Sequence, residues 1–227
     1  MSRKRERMLP PLEYLAWAIE NYGQVRFDLA SSGMPTIPAE AVGDPALLLS
    51  EVGDACAPRR WHEAIARRFH VDPAHAVPAL GTTHGLWATY AALLSPGDDV
   101  VVETPVYEPL LRQAQGVGAR VVPFARDIGR GAVIDPDVIG RAMTPKTKLV
   151  VVSNLHNPSG LRAPDATLAA LATRVQARGA YLLVDEVYAP FDSFTTPDGT
   201  WSGSARRLDA NVIAAGSLTK CYGLGAH

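Results

Sequence analysis

The sequence has few of the features that mark several classes of protein. Its two cysteines, Cys56 and Cys221, are too few and too far apart for a disulfide framework or a C-x-x-C site. Its 22 basic residues balance 23 acidic ones, and the one charge run, SRKRER at residues 2–7, is interpreted as a solvated tail. No window approaches the roughly 18 apolar residues of a membrane helix, and the six histidines lack metal-ligand spacing. These absences favour a cytoplasmic protein without a nucleic acid, membrane or metal partner.

From residue 76 onward, short apolar runs alternate with helical patterns. This alternation predicts an α/β fold of three layers, α/β/α, in which helices cover both faces of a mostly parallel sheet. The predicted strands are 99–103, 119–124, 148–154, 180–186 and 211–217, and the predicted helices between them cover 84–94, 107–116 and 164–179. Strands that are apolar along their whole length are typical of the middle of a covered sheet.

Residues 1–75 lack this alternation. They are predicted to form an N-terminal helical arm that contains a loop rich in Pro, Gly and Ser, LASSGMPTIP at 29–38, followed by a basic amphipathic helix at 58–70. Residues 76–227 are predicted to form the large, ligand-binding domain.

Reactive polar residues follow three of the predicted strands. The strand KLVVVSN runs into Asn157 within HNPSG, AYLLVD ends at Asp185 shortly before Tyr188, and NVIAAGS ends at Ser217, shortly before Lys220. Each alone has a structural interpretation, as a turn, a helix cap or a surface lysine. Ligands of open parallel sheets bind beyond the carboxyl ends of the strands, so together these residues predict a site at one edge of the sheet.

A glycine-containing turn adds a fourth element to this predicted site. ALGTTHG precedes an apolar helix and places Thr82 and Thr83 at its N-terminus, which is a ready site for an anion, although a plain helix cap has the same sequence pattern. An anion site, an amine, a carboxylate and a phenol together suit pyridoxal phosphate. Its chemistry requires a lysine for covalent attachment, an acid at the ring nitrogen and hydrogen-bond donors at the phenolic oxygen.

With these motifs in this order, the sequence resembles the class I and II aminotransferases, which are fold type I pyridoxal-phosphate enzymes, along nearly its whole length. The resemblance implies a seven-stranded, mostly parallel sheet, a homodimer with active sites at the subunit boundary, and amino transfer between an amino acid and a 2-oxo acid. It implies that Gly33 contacts the substrate and that Thr82, Thr83 and Ser217 contact the cofactor phosphate. It also implies that Tyr107 contacts the cofactor ring, that Asn157 and Tyr188 contact its phenolic oxygen, and that Asp185 contacts its nitrogen. Covalent attachment is implied at Lys220. Lys220, Asp185 and Tyr188 are the implied catalytic residues.

Other functions stay open at this stage. Another fold type I enzyme, such as a carbon–sulfur lyase or a decarboxylase, has the same scaffold, and so does an inactive aminotransferase-like binding module. A serine hydrolase is disfavoured because Ser217 and Lys220 have S-x-x-K spacing without the partner motifs. A Rossmann dehydrogenase is disfavoured because no Gly-x-Gly pair lies between a strand and a helix.

The sequence departs from the family pattern at two places. Val52 stands where the family usually has a tyrosine that reaches the partner subunit's cofactor phosphate. The arginine expected eight residues after Lys220 would lie just past His227, as would the small domain. The chain is therefore interpreted as the large-domain portion of an aminotransferase, truncated at its C-terminus.

Overall fold

Five parallel strands form a sheet in the computed structural model, which describes residues 11–29, 31–44, 56–194 and 201–224. The strands are β1 (Asp99–Thr104), β2 (Arg120–Ala125), β3 (Thr147–Ser153), β4 (Tyr181–Asp185) and β5 (Val212–Ala215). All five predicted strands are confirmed. β1, β3 and β4 are buried along almost their whole length, as their runs of valine and leucine predict.

Seven α-helices lie within the described ranges. They are α1 (Glu13–Asn21), α2 (Ala39–Val42), α3 (Ala57–Phe69), α4 (Gly81–Leu93), α5 (Glu108–Gly116), α6 (Pro136–Ala142) and α7 (Asp165–Gln176). Local sequence explains several of their ends. A proline occupies the first turn of α3, α5 and α6, where its missing N–H costs nothing, and the Asp135 side chain caps α6 by accepting from the N–H of Asp137.

The helices cover both faces of the sheet. Successive side chains of a strand point to opposite faces, so neighbouring valines of β1 enter different clusters. Val101 belongs to a buried cluster with Leu171 of α7. Val100 belongs to a second cluster with Leu86 of α4 and Leu110 of α5. The predicted three-layer α/β/α architecture is therefore confirmed.

The order of the strands indicates which edge of the sheet is suited to bind a ligand. The order is β2-β1-β3-β4-β5, with every neighbouring pair parallel, so the chain runs outward from β1 to β2 and then returns to build the other side from β3. Ligands of such sheets bind at the carboxyl edge near this reversal. Asp185 ends β4, and Tyr107, Asn157 and Lys220 follow β1, β3 and β5, so all four residues lie at that edge.

A buried ion pair joins β1 to the end of β2 at the same edge. Arg126 Nη1 lies 2.8 Å from Glu103 Oε2, and the two side chains are 1% and 0% exposed. Glu103 Oε1 also accepts from the N–H and the hydroxyl of Ser153, at 2.6 and 2.5 Å. Arg126 donates to the backbone oxygens of Ser153 and Ala132. This network fixes the ends of β1 and β3 relative to each other.

Arg126→Ala is expected to lower the free energy of unfolding by about 3–5 kcal/mol, because it leaves the Glu103 carboxylate buried without its cation. The matched control is Arg130→Ala, since Arg130 pairs with Asp127 while 88% of its side chain is exposed. We expect the control to change stability little. Urea unfolding of both variants measures the difference, and equal losses would contradict the assignment of this network as a structural anchor.

Two expectations from the sequence extend beyond the described residues. The resemblance implies seven strands, and the described ranges contain five. Val52 lies outside the described residues. Within the described ranges, no helix combines the length and the apolar character needed to cross a membrane.

Candidate active site

Lys220 lies on the turn that follows β5. The hydroxyl of Ser217 accepts a 3.0 Å hydrogen bond from the backbone N–H of Thr219 and so closes this turn. Lys220 Nζ donates to the hydroxyl of Ser32 at 3.1 Å. Partial burial lowers the pKa of the Lys220 amine below its ordinary value. The amine is therefore deprotonated more easily than that of an exposed lysine, as a nucleophile or a general base requires.

Two backbone hydrogen bonds join the N-terminal loop to the turn that carries Lys220. The N–H of Met34 donates to the Lys220 carbonyl at 2.7 Å, and the N–H of Ile37 donates to the Gly223 carbonyl at 3.1 Å. Gly33 has a φ of 125°, and a Cβ at this position would lie 3.1 Å from Lys220 Cδ and 3.2 Å from its Cα. Glycine at position 33 thus permits both the backbone conformation and the close approach. The structure places Gly33 directly against Lys220.

Asp185 is the last residue of β4, and its side chain is buried at the carboxyl edge of the sheet. Its Oδ1 accepts from the N–H of Val187 at 3.0 Å. Burial raises the pKa of Asp185 to about 6, and the Val187 hydrogen bond only partly opposes this rise. Within the described part of the chain no cation lowers this pKa. A positive group placed beside Asp185 would therefore stabilise its ionised form.

Asp185→Asn is expected to stabilise the cofactor-free chain at pH 7.5 by about 2–3 kcal/mol. The folded pKa, about 6, lies above the ordinary 3.8. The folded state therefore binds more protons than the unfolded state between these values, and stability falls as the pH rises from about 4 to 6. The gain of the variant should shrink towards pH 4.

Unfolding by urea at several pH values tests this expectation, and Asp127→Asn is the control. The side chain of Asp127 is 59% exposed and caps a short turn, a role that asparagine also performs. A variant Asp185→Asn that is less stable than the parent at pH 7.5 would show that the carboxylate has a favourable partner.

Two tyrosines lie near Asp185. Burial, together with the charge of Asp185, raises the pKa of Tyr107 to about 12. The same two causes raise the pKa of Tyr188, opposed by a hydrogen bond with Ser32. Tyr107 packs edge-on against Tyr14, with ring centroids 6.3 Å apart. Both phenols are therefore neutral near pH 7 and retain a proton to donate.

Asn157 lies half-buried on the turn after β3. Its backbone N–H donates to the Ser153 hydroxyl at 3.1 Å, so the Glu103 network holds the start of this turn. The His156 ring hydrogen-bonds the Ser159 hydroxyl at 2.7 Å and the Pro105 carbonyl at 3.0 Å. His156 thereby joins the turn that carries Asn157 to the segment that leads into Tyr107.

Thr82 and Thr83 lie in the first turn of α4, which begins at Gly81. The Thr82 hydroxyl donates to the Gly216 carbonyl at 3.2 Å and ties the helix N-terminus to the segment carrying Ser217. The Thr83 carbonyl accepts from the side chain of Gln113. The residue before this helix is Leu80, whose side chain cannot cap it, and the backbone N–H of Leu80 donates to His84 Nδ1 at 3.1 Å. The threonines therefore do not act as its cap, which was the alternative interpretation of the sequence.

The structure adds residues to this site that the sequence analysis did not single out. Glu103 was recognisable, because an acidic residue within a strand of valines predicts a buried carboxylate that needs a partner. His156 adjoins Asn157 and was recognisable by its position in the same turn. Ser32 gave no signal, since its bond to Lys220 joins residues 188 positions apart in the chain. Tyr14 likewise comes from the N-terminal arm.

No three His, Cys, Asp or Glu side chains are grouped to hold a metal ion in the part of the chain that the structure describes. Residues 57–226 match the family model described as aminotransferase class I and II.

Three curated relatives illustrate the similarity. A probable aspartate/prephenate aminotransferase of Thermus aquaticus is 35% identical over 135 residues, which are 56% of this chain and 34% of the relative. The arginine–pyruvate transaminase AruH of Pseudomonas aeruginosa is 33% identical over 156 residues, which are 68% of this chain and 39% of the relative. The capreomycidine synthase of Streptomyces vinaceus is 33% identical over 230 residues, which are 95% of this chain and 57% of the relative. The chain thus spans about a third to three-fifths of these relatives.

A solved structure has the same fold. The crystal structure of a PLP-dependent aminotransferase from Streptococcus suis superposes with a TM-score of 0.82 over 96% of this chain and 60% of that one, at 22% identity.

Proposed function

Because the chain belongs to the class I and II aminotransferases, we propose that the protein transfers an amino group between an amino acid and a 2-oxo acid. Pyridoxal phosphate is the cofactor that this family implies. The observation that carries the proposal is that one edge of the sheet holds both a buried carboxylate and an amine with a lowered pKa. Asp185 is a buried carboxylate that no described cation stabilises, and Lys220 is an amine whose pKa is lowered by burial. A cationic ring and a reactive aldehyde are the complements of these two groups.

The residues present fit this cofactor. Pyridoxal phosphate, when bound, supplies an aldehyde for attachment and a protonated ring that withdraws electrons from the substrate. Asp185 would hold the proton on the ring nitrogen, since a cation beside it relieves its desolvation. The neutral phenol of Tyr188 and the amide of Asn157 would donate to the phenolic oxygen. Tyr107 would pack on the face of the ring, and Thr82, Thr83 and Ser217 would contact the phosphate.

Lys220 carries the proton transfer in this proposal. Its Nζ would form the covalent attachment and, once an amino acid displaces it, would take a proton from the substrate Cα and return it. The lowered pKa supports this role, because a base works best when its pKa lies near the working pH. Gly33 lies against Lys220, and its backbone is proposed to approach the substrate carboxylate.

The test is a half-reaction. The chain is mixed with stoichiometric pyridoxal phosphate and a panel of amino acids, and pyridoxamine phosphate and 2-oxo acids are measured by mass spectrometry. We expect at least one amino acid to yield both products in equal amounts. Release of a thiol or of carbon dioxide without pyridoxamine phosphate would instead assign a lyase or a decarboxylase.

The assembly and location of the protein are also proposals. A homodimer is supported by large apolar side chains of the arm that stay exposed, since Trp17 is 54%, Phe27 73% and Leu29 96% exposed. Analytical ultracentrifugation tests this. The division into an arm, residues 1–75, and a large domain, residues 76–227, is supported by the described strands, all five of which lie in the second segment. A cytoplasmic location is supported by the low cysteine content, because Cys56 and Cys221 are too few for a disulfide framework.

A further inference from the structure

The hydroxyl of Ser32 lies between the amine and one of the phenols of the site. Lys220 Nζ donates to Ser32 Oγ at 3.1 Å, and the same hydroxyl lies near enough to the phenol of Tyr188 to lower its pKa. A serine hydroxyl has one proton to donate and two lone pairs that accept, whereas a lysine ammonium only donates. Ser32 therefore accepts from Lys220 and still has a proton that it can donate towards Tyr188. One small side chain thus connects two groups that the proposed reaction needs.

The loop that carries Ser32 is held in place by contacts on the residues beside it. The Met34 N–H bonds the backbone oxygen of Lys220 itself, at 2.7 Å. A Cβ on Gly33 would lie 3.1 Å from Lys220 Cδ, and a Cβ on Gly223 would lie 2.5 Å from the Pro35 carbonyl oxygen. Because both glycines permit close approach of the two segments, the Ser32 hydroxyl is set at a defined distance from the lysine turn.

We propose that Ser32 is a positioning residue, whose hydroxyl orients the Lys220 amine and sets how readily that amine loses its proton. The proposal deepens the proposed function and rests on it for the role of Lys220. Accepting a hydrogen bond from an ammonium favours the charged form, so Ser32 opposes the effect of burial on this amine. The hydrogen bond therefore limits the decrease in the pKa of the Lys220 amine that burial causes, and it fixes the direction of the amine.

Other titratable groups around Lys220 are already engaged. Ser32 lowers the pKa of Tyr188, and the Cys221 thiol donates to the Val187 carbonyl at 3.2 Å. Arg68 of α3 acts on Cys221 and lies 5.6 Å from the centre of the Tyr222 ring. From β4, Asp185 contributes a carboxylate whose described partner is the backbone N–H of Val187.

A neighbouring serine offers a matched control. The hydroxyl of Ser31 donates to Asp28 at 2.5 Å, and the Ser31 N–H donates to the other oxygen of the same carboxylate at 2.9 Å. Ser31→Ala therefore removes a hydroxyl from the same loop, one residue away, without touching the amine. Ser32→Thr retains the hydroxyl and serves as the conservative variant.

The experiment is competitive labelling of the cofactor-free chain with a trace of acetic anhydride between pH 7 and 11. The acetylation of Lys220 is measured by peptide mass spectrometry relative to the exposed Lys148. We expect Ser32→Ala to shift the Lys220 profile to lower pH, with labelling about threefold to tenfold faster at pH 8 than in the parent, since hydrogen bonds to charged groups are worth about 1.5–3 kcal/mol when buried and less here. Ser31→Ala and Ser32→Thr should retain the parent profile.

Profiles that coincide for the parent and Ser32→Ala would overturn the inference, and so would an equal shift in Ser31→Ala, which would indicate a general loosening of the loop. A second arm adds pyridoxal phosphate and borohydride to the parent and maps the reduced label. Absence of label on Lys220 would contradict the proposed function, whereas the acetylation profiles would still decide the role of Ser32.

Discussion

Lys220→Ala is expected to abolish covalent attachment of pyridoxal phosphate and to slow the half-reaction by at least about 10²–10⁴-fold. That factor is the usual contribution of a general acid–base group, and loss of the covalent step adds to it. Borohydride reduction followed by peptide mapping checks attachment, because it fixes the cofactor on the lysine that holds it. In the parent, the label should lie on the peptide that contains Lys220.

Lys148→Ala is the control for this experiment. Lys148 lies exposed on β3, at the opposite end of its strand from Ser153, so its loss should leave both label and rate unchanged. A parent chain labelled at Lys148, or a Lys220→Ala chain that retains its label, would show that the reactive amine has been placed wrongly.

Asp185→Ala is expected to reduce the half-reaction rate by about a thousandfold while it changes cofactor occupancy far less. The carboxylate acts mainly on charge that develops during reaction, and a preorganised group of this kind is worth several kcal/mol. The proposed phosphate contacts, which this substitution does not touch, are expected to provide most of the anchoring. Stopped-flow absorbance measures the rate, and equilibrium titration measures occupancy.

The neighbouring Glu186 provides a matched control, since it is also a buried carboxylate and burial raises its pKa to about 7. Its oxygens accept from the Ser204 hydroxyl and the Ala205 N–H, both at 2.6 Å. Glu186→Gln should alter stability and leave the rate nearly unchanged. A near-normal rate in Asp185→Ala, or equal losses in both variants, would remove Asp185 from the proposed chemistry.

The sequence was sufficient to predict the sheet, because its strands form contiguous runs such as LVVV, which are typical of a covered parallel sheet and alternate with helical patterns. It was also sufficient to bring Asp185 and Lys220 to one edge, since parallel strands share the direction of their carboxyl ends. These inferences need only the local pattern and the topology of the chain.

Such local patterns do not predict contacts between segments that are distant in the chain. Nothing in SSGMP indicates that the Ser32 hydroxyl meets Lys220, because a loop without periodicity does not specify its partner. Likewise, no local pattern indicates that Arg126 pairs with Glu103, where both side chains are almost fully buried. The alternation of strands and helices fixes which ends meet, whereas side-chain packing decides which atoms bond.

The bond between Ser32 and Lys220 also has a consequence for synthesis of the protein. The two residues lie 188 positions apart, and a ribosome adding about 5–20 residues per second needs about 10–40 s to make that length. During this interval the Ser32 loop has emerged but its partner turn does not exist. All five described strands, β1 to β5, precede that turn in the chain and are made first, so the reactive amine meets its hydroxyl only after these strands have been translated.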